Sequence, residues 1–455
     1  MTRPDRVIRP FRAVRYQIPR DRDLSAVLSP PYDIISEEMQ RALHQRDEHN
    51  FVRIELPMGS ASEKGPESRY HRAAGALRQW MADGILVRER TPSCYVLEQE
   101  FSVGGRAWRR RGVFALVRLP EEGEKHVLSH EGTLPEPKAD RLRLLRACRA
   151  MASPIMLLCE DPDGRLASLL GQIGGEPDAV AQGSAGTIHR TWIVSGAPAT
   201  DAICRAVGVG PLFIADGHHR FETAMSYREE MRRAFPEAPE DAGFNFALAL
   251  VTSARDPGLV VLPTHRLISG LDEAAREQLR TCMERSFEVR ELPCPDTEAR
   301  DCQRRLEEAE PNDHVLGMYC GDSVYRILVA RDEAVPGDES VVAGLDVSVL
   351  HDRLVDPVMA GGACPPDEDG QVSHDSHATG VTGRGTRLTY TTDEQQAVAA
   401  VDRGDYDCAF FVRRTRVADV LAAARAGERM PGKSTYFYPK VPAGIVLSDA
   451  SSEPA

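Results

Sequence analysis

The stretch PLFIADGHHRFETAMSY, residues 211–227, limits the fold more than any other part of the chain. Its short apolar run reads as a buried strand. The run ends at Asp216, turns through Gly217 and passes at once into helical spacing. A strand that feeds a helix so directly belongs to an α/β architecture. The surrounding residues repeat the alternation. A helix is predicted near Ala139–Ala150, strands over Pro154–Cys159 and Thr187–Val194, and a helix near Thr200–Val207. The strand Pro211–Ala215 then precedes a long amphipathic helix with Phe221, Ala224, Met225, Met231 and Phe235 on one face.

On the N-terminal side FRAVRY alternates like a strand, and Ser36 stands as a helix cap before Glu37 and Glu38. Tyr70, Ala73, Ala74, Leu77 and Trp80 share a helical face. SCYVLEQEFSV and RRGVFALVRL predict a hairpin around Gly104-Gly105. On the C-terminal side the helix LDEAAREQLRTCMERSF is followed by short strands. Between these strands Gly361–Arg387 is rich in Gly, Asp and His and lacks periodicity, as in a long flexible loop. The expected fold is therefore α/β (α+β). A core over 126–265 is flanked by segments 1–125 and 266–455 that pack onto it, since no Pro/Gly/Ser linker separates them.

Charge narrows the partners. The 56 basic and 69 acidic residues leave a net charge of −13, which opposes duplex binding through phosphate neutralisation. The densest basic run, Arg106, Arg109, Arg110 and Arg111, reads as an exposed strand end. No apolar run approaches the ~18 residues needed to span a bilayer, and the N-terminal residues lack the apolar core of a secretory signal. A cytoplasmic location is expected. The ten cysteines include no C-x-x-C pair and read as small core residues.

Chemistry concentrates in four places, and a fifth stretch, SPPYDIIS at 29–36 with Asp33, backed by His49-Asn50 and RIELP at 53–57, reads either as a wall of the same cleft or as a rigid structural turn. At the strand–helix turn, Gly217 lets the backbone approach a phosphate, Arg220 offers a planar fork, and His218-His219 make poor core material. Asp216 suits Mg²⁺ coordination or proton transfer. Upstream, His130-Glu131 ends an apolar stretch, with Glu131 a candidate general base and Lys138 and Arg141 candidate phosphate contacts. Thr264, His265 and Arg266 end the strand predicted in GLVVLPTHRLI, residues 258–268. Finally, Gly427–Ser434 matches G-x-x-x-x-G-K-[ST], but a helix-like ADVLAAARA precedes it and β-favouring Tyr436-Phe437-Tyr438 follows. A P-loop needs the reverse order, so only a looser role for Lys433, Ser434, Thr435 and Lys440 in lining an anionic pocket survives.

The strings IRPFRAVRY, SPPYDIIS, NFVRIELP, SHEGTLPEPKADR, ADGHHRFETA, PTHRL, LDVSVLHDRL and MPGKSTYFYPK occur in this order. Together they resemble a prokaryotic family known only as domain of unknown function family 1015, over roughly residues 7–448. More distantly, the His-Glu pair and the Asp-Gly-His-His-Arg turn are similar to the ParB/sulfiredoxin superfamily and its free-serine kinases. That resemblance implies a ParB/sulfiredoxin-like core, with Glu131, Asp216 and His219 catalytic. It also implies ATP or ADP held by Gly217, His218 and Arg220 and helped by Lys138, Arg141, Lys433 and Ser434. Mg²⁺ would sit at Asp216, and the substrate at His130, Thr264, His265 and Arg266. The leading expectation is a nucleotide-dependent kinase acting on a small hydroxyl substrate, with free L-serine the acceptor implied. Two alternatives stand beside it. One is a ParB-like nucleotide-binding regulatory module; the other is a metal-dependent hydrolase using His130, Glu131, Asp216, His218 and His265.

Overall fold

Nine strands form one mixed sheet in the computed structural model, which describes residues 7–17, 23–60, 62–63, 65, 68–293, 299–310, 313–335, 340–360 and 385–451. Contacts divide the chain into two units. The first comprises 1–128, 133–260 and 437–455; the second comprises 129–132 and 261–436.

The nine-stranded sheet belongs to the first unit. Val127–Leu128 runs parallel to Leu212–Asp216, which lies antiparallel to Ile155–Cys159. Ile155–Cys159 is parallel to Phe246–Ser253, and that strand is antiparallel to Arg106–Arg118. The hairpin of Ser93–Val103 and Arg106–Arg118 continues the sheet, Ile188–Ser195 and Ala179–Gln182 extend it, and Ile8–Arg9 adds beside Arg106–Arg118. Every residue of Ile155–Cys159 and Phe246–Ser253 is buried. Continuous apolar runs of this kind fit strands covered on both faces. The expected mixed α/β class is observed.

Local signals act as their chemistry dictates. Ser36 Oγ accepts from Met39 N at 3.1 Å and caps the helix Glu37–Arg46. Tyr70, Ala73, Ala74, Leu77 and Trp80 are all buried on Arg69–Ala82. Gly104 and Gly105 have φ of 59° and 77°, the left-handed pair that a two-residue hairpin turn demands.

Two expectations are corrected. On the helix His218–Ala234 the buried stripe is Thr223, Ala224, Tyr227 and Arg228, whereas Phe235 is exposed. Arg228 goes inside because its Nη1 donates to the carbonyl of Leu119 at 3.0 Å. Arg110 is not part of an exposed strand end. It is fully buried, donating to Gln99 Oε1 and to the carbonyls of Tyr438 and Pro439. Burial without a carboxylate partner lowers its pKa to about 10, with Asp256 and Asp216 partly restoring it.

The second unit carries a six-stranded antiparallel sheet in the order Phe287–Pro293, Val324–Ala330, Val315–Tyr319, Cys408–Phe411, His265–Ser269, Arg387–Thr391. The helix Glu273–Ser286 is capped by Asp272, whose Oδ1 accepts from Ala275 N. Gly427 ends the helix Val417–Ala426 in the left-handed conformation, and the strand Tyr436–Tyr438 follows. Gly427 is thus a helix stop, and the P-loop match is accidental. The loop expected over Gly361–Arg387 lies, but for its last three residues, outside the described residues. Among the described residues no helix is long and apolar enough to cross a membrane.

Candidate functional site

The strand Leu212–Asp216 carries a register shift between Ile214 and Asp216 that re-aims its last residue. Gly217 follows with φ 92° and ψ 32° and serves as N-cap of His218–Ala234, with no side-chain cap. Only glycine enters that conformation without strain. The first backbone N–H groups of such a helix have no partner in its own ladder and carry its partial positive charge. A Cβ on Gly217 would stand 2.9 Å from Arg220 Nε. Gly217→Ala should therefore cost about 1–2 kcal/mol, seen as a lower urea midpoint, and disturb Arg220 as well.

Asp216 is the electrostatic centre. Lys440 Nζ donates to its Oδ1 and Arg220 Nη2 to its Oδ2. Burial opposes the carboxylate, but Lys440 and then Arg220 outweigh it and hold the carboxyl well below the usual aspartate range. Arg220 also donates to the carbonyl of Pro154, and its Nε has no hydrogen-bond partner. Burial works against the guanidinium charge as well, yet Asp216 and Asp33 raise its pKa. Asp33 Oδ2 lies 4.0 Å from Lys440 Nζ. The turn is thus two carboxylates and two cations locked together.

Behind it lies a pocket lined by Glu55, Arg141, Ser153, Arg220 and Thr223 among apolar neighbours such as Leu144 and Met151. Glu55 is completely buried; its Oε1 accepts from Tyr32 N at 3.1 Å and its Oε2 from Ser153 Oγ. Arg141 donates to the Glu55 carbonyl at 2.7 Å, pairs with Asp140 and stacks 4.1 Å over the Tyr32 ring. Lys138 pairs with Glu222 at 3.0 Å. His219 Nε2 accepts from Leu134 N at 2.9 Å, which places the neutral ring's proton on Nδ1. His218 is buried at the same helix start.

The other sequence-derived residues fall in the second unit. Glu131 Oε1 accepts from Lys433 N at 3.1 Å, and Arg429 Nη1 donates to the Glu131 carbonyl at 3.2 Å. The carbonyl of fully buried His130 accepts from Met430 N at 2.8 Å. Arg266 is also fully buried, held by the carbonyls of Thr264 and Lys433, by His351 Nε2 at 3.4 Å and by the Tyr390 ring. Burial lowers its pKa to about 10, while Tyr390 and Glu131 act the other way. His265 Nδ1 accepts from Val412 N, and burial with Arg266 beside it lowers the ring's pKa to about 3. Thr264 Oγ1 is buried without a hydrogen-bond partner. Ser434 Oγ donates to the Pro431 carbonyl, and Ser434's own carbonyl accepts from Thr415.

Two implied groups can be tested on this geometry. The uncapped helix start suits a phosphate, so the residues fit that part of a nucleotide. Mg²⁺ at Asp216 does not fit, because both carboxylate oxygens are already held by cations. Asp216 and His265 are for the same kind of reason poor ligands for a hydrolytic metal: their acceptor atoms are spent on protein donors. The sequence presents Arg220 as an open phosphate fork and RIELP as a stretch behind the cleft without singling out Glu55, while Ser153 carries no local motif.

A family model described as protein of unknown function (DUF1015) matches residues 8–348. The chain belongs to that family. The match begins where the recognisable strings begin and stops before MPGKSTYFYPK. No curated protein matches the chain. Among solved structures, a conserved hypothetical protein from Pyrococcus furiosus is 14% identical at TM-score 0.36, covering 74% of this chain and 95% of that one. A free serine kinase in complex with AMP is 13% identical at TM-score 0.35, covering 74% and 91%. SbnI with a C-terminal truncation, from Staphylococcus aureus, is 9% identical at TM-score 0.33, covering 74% and 88%.

Proposed function

We propose that this protein is a nucleotide-dependent phosphotransferase acting on the hydroxyl of a small molecule, with free L-serine the first acceptor to test. The supporting observation is the Gly217 turn: a buried strand delivers an uncapped helix N-terminus, fixed by the Lys440–Asp216–Arg220 bridge. Phosphoryl transfer asks a protein mainly for positioning and charge stabilisation. A bound nucleoside di- or triphosphate supplies the phosphoryl group and its leaving group. The backbone N–H groups of His218, His219 and Arg220 take phosphate oxygens. Lys138 and Arg141 are already paired with Glu222 and Asp140, so the phosphate site rests on the backbone rather than on them. Glu131 takes the proton of the acceptor hydroxyl. Arg266 is fully buried with its nitrogens on His351 and on backbone carbonyls, so it serves as a positioning residue near Glu131 rather than as a contact to the acceptor. Asp216 keeps the turn rigid instead of holding a metal.

The test is a thermal-shift series with ATP, ADP, CTP and GTP, each with and without Mg²⁺, followed by phosphate-transfer assays with L-serine and other small alcohols. A nucleotide at 100 times its dissociation constant should add about 2.7 kcal/mol. Transfer to an acceptor supports the proposal. A shift without transfer to any hydroxyl favours the binding-module reading, and no shift with any nucleotide defeats both.

A further inference from the structure

Two cysteines of the second unit face one another outside everything assigned above. The antiparallel strands Val315–Tyr319 and Cys408–Phe411 pair Met318 with Phe410 and Tyr319 with Ala409. One step further, that register sets Cys320 opposite Cys408, and each thiol is a main influence on the other's protonation. Directly opposed residues hold their Cβ atoms about 4.5–5.5 Å apart, close to the ≈3.5–4.5 Å a disulfide needs. The two thiols differ in access. Cys408 is fully buried in the apolar cluster of Ile268, Phe287 and Met318, whereas Cys320 is half-buried at its edge. Arg326 and Arg276 bring positive charge towards Cys320, each tied to its own carboxylate, Asp322 and Asp407. The neighbouring Cys408 thiol is the largest influence and, with these arginines, lowers the Cys320 pKa against burial, while the Cys408 pKa is raised. The pair Cys94 and Cys204 also meets, but both of its members are buried.

We propose that Cys320 and Cys408 form a hydroperoxide-reactive dithiol site, with Cys320 the attacking thiol and Cys408 the resolving one. The thiolate of Cys320 attacks the peroxide; an S–O bond forms, the O–O bond breaks and an alcohol, or water from hydrogen peroxide, leaves with a proton. The Cys408 sulfur then attacks the sulfenic acid. The S–S bond forms as the S–O bond breaks, and water leaves with the Cys408 proton. Two thiols lose two electrons, and the hydroperoxide gains them.

The full-length protein is treated with hydrogen peroxide, its remaining thiols are alkylated, and its peptides are mapped. The expected product is a cross-link between the Cys320 and Cys408 peptides, reversible by a dithiol reductant. Cys408→Ser should abolish the cross-link and leave a dimedone-trappable sulfenic acid on Cys320. Cys320→Ser, or Cys320→Ala if the former does not fold, should lose both products. A folded wild-type protein that yields neither cross-link nor adduct at Cys320 overturns the proposal. So does a cross-link that appears only in denaturant.

Discussion

Asp216→Ala should destabilise the first unit by about 3–5 kcal/mol, because it strands two cations that are buried against one carboxylate. Lys440 and Arg220 both end on Asp216, and the side chains of all three are at most 16% exposed. Urea unfolding followed by intrinsic fluorescence reads the loss. A double-mutant cycle with Lys440→Met isolates the pair, since removing both partners should cost less than the sum of the single changes. The pH dependence has a definite sign. Asp216's carboxyl is held below its unfolded value of about 3.9, so its contribution is fully present above that value. It fades as pH falls below about 4 towards the depressed folded value. Wild-type protein should therefore lose more stability in this acid window than Asp216→Asn does. Equal acid sensitivity of the two would show that the bridge does not carry the effect.

Glu131→Gln should leave nucleotide binding unchanged and lower phosphoryl transfer by about 10²- to 10⁴-fold, the usual contribution of a general base. The substitution is close to isosteric, and the glutamine oxygen can still accept from Lys433 N. A fall in kcat with an unaltered thermal shift by nucleotide is the expected signature. If the variant transfers phosphate as fast as wild type, Glu131 is a structural acceptor for the 429–433 segment and the base lies elsewhere.

The strand–turn–helix at Asp216 was readable because its signals are local: an apolar run ends, a glycine takes a positive φ, and helical spacing starts at once. The Ser36 cap and the Gly104-Gly105 turn were readable for the same reason. Lys440 was the difficult residue. It had been noted among the polar residues of its segment, but nothing nearby says that it closes on Asp216, 224 positions earlier. Once that partner is known, Arg220 changes meaning from a fork open to phosphate to a clamp on its own turn. RIELP is placed behind the cleft by the sequence, but nothing in it marks Glu55 as the buried acceptor that Tyr32 and Ser153 enclose. The buried arginines deceived in the same way. Arg110 and Arg228 sit inside because carbonyls from distant segments receive them, and carbonyls carry no side-chain signature.

The path of the chain through the first unit sets a timetable for its synthesis. Residues 437–451 complete this unit: Leu447 bonds to Val14, Ala443 to Ser29, Ser448 pairs with Met151, and Lys440 reaches Asp216. A ribosome delivers residues 261–436 before any of these. At about 5–20 residues per second, that interval lasts on the order of ten to thirty seconds. Throughout it, Arg110 lacks its carbonyl acceptors and the Asp216 turn has only one of its two cations. The nascent first unit must wait in an unfinished state, exposed to chaperones and proteases, until its last segment arrives.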